Sequence, residues 1–372
     1  MANNKLHKLF LFQTFLVMAV FGGFFSSCSM VHEDLGDCPD GLYIKFVYDY
    51  NLERSDMFKD QVGGVTVFIF DNNGYLIKKQ SVSNIGTETP LKTYGYTMHI
   101  ENLNPGKYKL IAFANQKDYE ETLKGKGAKY RMSDIQVGDS MSALKSVLDS
   151  DPAVKGLKLV ENSGSPLDTL WHGIVNDSIK VKDEEPTYTT VSLVRDTKNL
   201  NITLRQIEEP TQCPIEDYDI YITDRNGTIL YDNRVEESDT LEYTPYAKWN
   251  SYFTSEGIST NIKPLDTTSI HSMVAHADLS FNRLLYRNAA DKPAMLYIHN
   301  NKHNVMIAKI NLADVLAEGR NAYEYYNYSR QEYLDRAYDF HLDFFLVGDR
   351  WDYINLSIST LPWSIRIQNE DI

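Results

Sequence analysis

The chain has 372 residues, of which 51 are Asp or Glu and 37 are Lys or Arg, for a formal charge of -14. That acidic excess, with no basic stripe to neutralise phosphates, excludes nucleic acid as a partner. Its 25 Tyr and 16 Phe point to β structure, three Cys are too few for a disulfide-dense module, and the length suggests two domains.

The first residues read as an export signal. Lys5 and Lys8 precede an apolar run from Leu9 to Phe25, and Ser26-Ser27 lead into Cys28. A cationic start, an apolar core and small residues before a cysteine are the order of a bacterial lipoprotein signal. The run is shorter than the roughly 20 apolar residues of a permanent span. Residues 1–27 are therefore expected to be removed, and Cys28 to become a lipidated (palmitate-bearing) N-terminus held in a membrane. A simple secretion signal with an incidental cysteine is the alternative. Ser29, where an Asp would favour inner-membrane retention, favours the outer membrane, and residues 28–37 read as an acidic tether.

Beyond the tether the pattern alternates with period two. Leu42, Ile44 and Phe46 share one face of a first strand expected to end near Tyr50. Val65, Val67 and Ile69 line a second, with Thr66, Phe68 and Phe70 opposite. Asp71-Asn72-Asn73-Gly74 supplies residues that tolerate positive φ, so a hairpin into Tyr75-Leu76-Ile77 is expected. Tyr221 to Leu230, around Asp224-Arg225-Asn226-Gly227, echoes this device about one domain later. The echo suggests two similarly built sandwiches, an N-terminal domain over 38–209 and a C-terminal one over 210–372. Leu200, Ile202 and Leu204 are expected to form a strand late in the first domain, with the boundary at Glu208 to Gln212. Closing strands are expected over Phe340–Leu346, Ile354–Ile358 and Trp363–Ile367. Short helices are expected over Asp118–Leu123, Ser142–Leu148 and Leu312–Leu316, the last capped by Asn311. The Gly-, Ser- and Asp-rich stretch from Lys124 to Ser165 reads as a long loop or insertion.

A search for chemistry returns little. The chain lacks G-x-S-x-G, H-E-x-x-H, a Walker loop and a dinucleotide-binding turn. His299 and His303, and His271 and His276, sit in strand and turn context and make a poor metal site; no metal and no cofactor are expected. Asp71 and Asp224 lack the series of ligands a calcium loop needs and read as turn residues. Asp335 and Asp339 could pair for glycoside cleavage, although a solvated face is the simpler reading. Tyr323, Tyr325, Tyr326 and Tyr328 read as a core edge, with a binding platform as the other option. Cys38 and Cys213 remain once Cys28 is lipidated. An oxidising envelope permits a bond between them, and two buried thiols are the alternative.

Several stretches together resemble a known family. They are Asp37 to Leu42, Phe46 to Asn51, Val67 to Asp71, Leu103-Asn104-Pro105-Gly106-Lys107-Tyr108, Leu170-Trp171-His172-Gly173 and Gln331-Glu332-Tyr333-Leu334-Asp335-Arg336, with Trp363 near the end. The chain resembles the FimB-like fimbrial anchor proteins, the fimbrillin-associated anchors of type V fimbriae. The resemblance implies an all-β fold of two tandem transthyretin-like β-sandwiches and a surface lipoprotein of the cell outer membrane, at the fimbrial (pilus) base. It implies a non-enzymatic role in cell adhesion: holding the fimbria to the cell and limiting its length. Expected partners are fimbrial subunits, met by β-strand addition, and the membrane, with no small-molecule substrate. Arg54 follows the first strand. Cleavage there by a trypsin-like protease would instead make the chain a shaft or tip subunit, and a glycan- or host-protein-binding lipoprotein is a further alternative.

Overall fold

A computed structural model of the protein describes residues 40–152, 156–183, 185–208, 211–237, 239–254, 257–259, 270–287, 291–322, 324–358 and 364–369. The leader, the tether, Cys28, Cys38, Tyr323 and Trp363 lie outside the described residues. Strands dominate, the four α-helices among the described residues are short, and Gly41–Ile372 forms one compact unit. The expected all-β, sandwich-type fold is the fold observed.

The first sheet has seven strands: Leu76–Ser83, Gly64–Asp71, Gly106–Asn115, Leu170–Val181, Thr187–Arg195, Leu42–Val47 and Thr97–Ile100, in that order. The strand Thr187–Arg195 does double duty. Residues Thr187 to Ser192 run parallel to Leu42–Val47, whereas Leu193 to Arg195 pair antiparallel with Leu170–Val181. It thereby turns the corner of a small sandwich. The enclosed core contains Leu42, Ile44 and Phe46 opposite Val65, Val67 and Ile69, with Leu110, Ala112, Trp171 and Val191. The expected hairpin is present: Gly64–Asp71 pairs with Leu76–Ser83, and Asp71 Oδ1 accepts from the Asn73 and Tyr75 amides, both at 2.9 Å. Gly74 holds the left-handed conformation (φ 86°) that the turn needs.

Phe68 and Phe70 point to the other side, into a second and larger core. A second seven-stranded sheet builds that core, ordered Gly257–Ser259, Ala247–Thr254, Ile270–Phe281, Lys198–Gln206, Asp339–Val347, Arg350–Ile358 and Ser364–Gln368. A five-stranded sheet (Val305–Asn311, Met295–Asn300, Tyr218–Asp224, Thr240–Tyr243, Leu157–Val160) and a four-stranded one (Val235–Glu236, Thr228–Leu230, Lys145–Leu148, Tyr130–Met132) contribute to the same core.

Four local expectations are corrected. Lys198–Gln206 does not close the first domain; it is central in the second sheet, between Ile270–Phe281 and Asp339–Val347. The chain has already crossed at Arg195-Asp196-Thr197-Lys198, all buried. Lys124 to Ser165 is no long loop, because it forms three strands, two of which are recruited by distant partners. Leu157–Val160 pairs with Thr240–Tyr243, and Lys145–Leu148 lies between Thr228–Leu230 and Tyr130–Met132. Ser142–Leu148 is accordingly not a helix. A single 3-10 turn, Met141–Ala143, is capped by Ser140, and the remainder extends because Ser146 and Leu148 bury on one face. Finally, Asp224-Arg225-Asn226-Gly227 is no second hairpin. Tyr218–Asp224 and Thr228–Leu230 belong to different sheets, since the residues between them are taken up by buried polar contacts.

The other short helices form where their caps predict. Asp118 accepts from the Glu121 amide ahead of Tyr119–Leu123, and Asn311 from the Asp314 amide ahead of Leu312–Ala317. Two more helices, Phe58–Gln61 and Arg330–Arg336, are too short for sequence periodicity to reveal.

Candidate functional site

The first strand, and the way its exit is held, form the candidate site. Leu42–Val47 is flanked on both edges, parallel to Thr187–Arg195 and antiparallel to Thr97–Ile100. Leu42 and Ile44 are wholly buried and Phe46 almost so; Phe46 also stacks on Phe58, with ring centroids 5.6 Å apart. A strand with two ladders and three buried side chains is an integral part of its sandwich. Its removal would leave an open groove.

The loop that follows is tied down residue by residue. The Tyr48 amide donates to Asp56 Oδ1 at 2.9 Å, and Asn51 Nδ2 donates to the Tyr48 and Ser55 carbonyls, both at 2.8 Å. Leu52 enters the larger core, and Glu53 Oε1 accepts from the Tyr338 hydroxyl at 3.2 Å. Arg54 has φ 53°, a left-handed conformation uncommon for an arginine. Its Nε donates to the Tyr328 hydroxyl (3.1 Å) and a terminal nitrogen to the Glu324 carbonyl (2.9 Å). The Arg336 guanidinium lies between two rings, 4.0 Å from the Tyr50 centroid and 4.7 Å from that of Tyr328. Arg195 stacks 4.2 Å over Tyr338 nearby. The exit of the first strand is thus held by alternating tyrosines and arginines, of which Tyr328, Arg336 and Tyr338 come from the C-terminal half.

The motif Gln331 to Arg336 is the other side of this junction. Gln331 Oε1 accepts from the Tyr286 amide and its Nε2 donates to the Leu284 carbonyl. Tyr333 is buried, and Asp335 accepts from two nitrogens of Arg283, Nε at 2.9 Å and a terminal one at 2.8 Å. Asp335 is therefore not part of a solvated face, and it is committed to a fork-shaped ion pair. Lys198 is buried beside it and donates to the Asp335 and Ala337 carbonyls at 2.9 and 2.8 Å. Burial lowers the Lys198 pKa and raises that of Asp196, whose carboxylate faces Arg283 at 3.9 Å.

Asp224 is likewise a buried ion-pair partner instead of a surface turn residue. Arg287 donates to it at 2.7 Å, and Glu237 takes the same arginine at 2.9 Å. Asn226 donates to the Asn282 and Arg283 carbonyls and accepts from the Tyr243 hydroxyl at 2.6 Å. The sequence carried one usable signal, an aspartate and an asparagine in an otherwise apolar stretch. It did not reveal that arginines some 60 positions away would bury them.

The remaining candidates do not converge. His299 meets Asn301 and His303 meets Asp349, while His276 bonds Ser251 and Thr203; the His271 side chain lies outside the described residues. Among the described residues no group of three or more His, Cys, Asp or Glu side chains is placed to hold a metal ion, and no helix is long and apolar enough to cross a membrane. Cys213 is buried, its Sγ 3.7 Å from the Tyr218 hydroxyl, and burial raises its pKa. Tyr325 and Tyr328 stack at the core edge, as expected, and Tyr326 is exposed.

Residues 35–369 match the family of fimbrillin-A associated anchor proteins Mfa1 and Mfa2. The chain belongs to this family. A curated relative of this anchor family, the minor fimbrium anchoring subunit Mfa2 of Porphyromonas gingivalis, is 20% identical over 254 residues, covering 66% of this chain and 69% of that one. The crystal structure of the Porphyromonas gingivalis anchor Mfa2 superposes with a TM-score of 0.57 at 16% identity, covering 88% of this chain and 99% of the other, a likeness of fold. A candidate adhesin of Bacteroides thetaiotaomicron gives a TM-score of 0.70 at 25% identity, over 90% of this chain and all of that one. A candidate polysaccharide-binding protein of the same species gives 0.67 at 26%, with the same coverage.

Proposed function

We propose that this chain is the lipid-anchored base subunit of a fimbria. In this reading Cys28 carries the acyl chains in the outer membrane, residues 28–37 span the gap to the folded part, and the first strand stays in place. The observation that carries it is the integration of Leu42–Val47, paired on both edges and buried on one face, with its exit loop held at Arg54. A subunit that keeps this strand fills its own groove, so it accepts no donor strand there and ends the polymer on the cell side. Membership of the anchor family supports the same role. We assign the chain no catalytic step and no cofactor. A bond between Cys38 and Cys213, which would join the start of the first strand to the start of the second domain, belongs to the proposal and is read by non-reducing peptide mapping.

The test is the mature N-terminus, determined by mass spectrometry on protein from membranes and from sheared fimbriae. Acylated Cys28 in the membrane fraction is the expected result. A chain beginning after Arg54 and recovered only with sheared fimbriae would make it a shaft or tip subunit.

A second reading, recognition of a surface polysaccharide, draws on the Bacteroides thetaiotaomicron relative and on one row of rings. Tyr188, Tyr43 and His99 stack across three strands, and Tyr188 is 69% exposed. Glycan-array binding by the ectodomain, lost in Tyr188→Ala, is its test.

A further inference from the structure

We propose that the fimbrial neighbour joins this subunit along the last strand, Ser364–Gln368, by adding an extended segment that carries a carboxylate opposite Arg366. The proposal rests on the anchoring role above and names the surface that serves it. An exposed strand edge offers unpaired backbone donors and acceptors, and neighbouring pockets for alternate side chains set the register of whatever pairs with it.

The end strands of the first sandwich, Leu76–Ser83 and Thr97–Ile100, also pair with a single neighbour each, but they are bridged to one another. On one side Thr187–Arg195 passes from one sheet to the other and closes the corner. On the other, side chains of Leu76–Ser83 cap the facing strand. Gln80 Nε2 donates to the His99 carbonyl at 3.0 Å and Lys78 Nζ to the Glu101 carbonyl at 2.8 Å.

Ser364–Gln368 differs in what lies beside it. It pairs only with Arg350–Ile358 and ends its sheet among the described residues. The strand lines a cleft of about 540 Å³, whose apolar walls are Val315, Ile365, Ile367 and the Tyr286 ring. Alternate apolar side chains of an added strand would enter this cleft and continue the core of the second sandwich. The charges of the rim select the partner. Arg330 lies 3.9 Å from Asp314 and 3.7 Å from Glu318 and stacks 4.9 Å over Tyr286. Arg366, by contrast, is exposed, stacks on Tyr353, and has no acidic partner among the described residues. It is the cation left for an incoming carboxylate.

The test is made in fimbriated cells with the full-length chain. A photo-crosslinking residue is placed at Gln368 and, as a control, at Gln80. The cross-linked peptides are sequenced, and fimbriae retained after shear are counted for Arg366→Glu and Arg366→Lys. The expected result is a cross-link from position 368, and not from 80, to a terminal segment of a fimbrial subunit. Retention is expected to fall about fivefold in Arg366→Glu and much less in Arg366→Lys, with surface level and melting temperature unchanged. A cross-link only from position 80, no cross-link from 368, or wild-type retention in Arg366→Glu would overturn the proposal. Its failure is separable from failure of the anchoring role, which is decided by the mature N-terminus whatever position 368 contacts.

Discussion

Arg54 donates to the Tyr328 hydroxyl at 3.1 Å across 274 positions of sequence, joining the exit of the first strand to the segment before the Gln331–Arg336 motif. Proteases bind their substrates as extended segments, so a left-handed arginine whose side chain is already engaged must open before it can be cut. Tyr328→Ala removes the hydroxyl partner of Arg54 and one of the two rings against Arg336. Cleavage after Arg54 by trypsin is expected to accelerate by about tenfold, which corresponds to roughly 1.4 kcal/mol of easier local opening. Limited proteolysis of the folded ectodomain, with N-terminal sequencing of the products, measures it. Equal rates in wild type and variant would show that Tyr328 does not hold the loop.

Acid sensitivity is expected to run through His172. The ring is buried, its Nε2 sits 2.8 Å from the Tyr231 carbonyl, and burial lowers its pKa to about 4. The unfolded chain takes up the proton near pH 6.5, so stability is intact above that value and is lost as pH falls toward 4. The loss at pH 4.5 is about 2 to 3 kcal/mol relative to neutral pH. His172→Gln keeps a donor without a titrating ring and should remove that part of the pH dependence in urea denaturation at pH 7 and 4.5. An unchanged slope would assign the acid sensitivity to other groups.

Gly173, in the same motif, allows a close approach. A Cβ there would run into the Val191 and Leu193 side chains of the strand that turns the sandwich corner. Gly173→Ala is expected to cost about 1 to 3 kcal/mol by overpacking. Thermal unfolding reports it, and trimming Val191 to Ala in the same protein should recover part of the loss.

Asp224→Ala would leave Arg287 with only the more exposed Glu237. A buried charge stripped of its partner costs about 3 to 5 kcal/mol, and the surviving contact puts this site at the lower end. Replacing both residues, as Asp224→Leu with Arg287→Met, should be less damaging than the single change. Chemical denaturation of the three proteins completes the comparison, and equal stability of the single variant and wild type would contradict it.

The strand–turn grammar of this protein was legible without coordinates because it is local. Period-two alternation located Leu42–Val47 and Gly64–Asp71, Asp71 to Gly74 specified the hairpin, and Asp118 and Asn311 marked helix starts. The ordered motifs from Asp37 to Arg336, with Trp363, carried the family resemblance. Tertiary structure alone decided the rest. Lys145–Leu148 extends because Thr228–Leu230 and Tyr130–Met132 flank it, and Lys198–Gln206 joins the second sheet because two distant strands bracket it. Asp224 and Asp335 look like surface residues until Arg287 and Arg283 arrive from far along the chain. A hydrogen-bond ladder or a buried ion pair gains its energy from a partner that adjacent sequence does not contain, and only the folded chain supplies it.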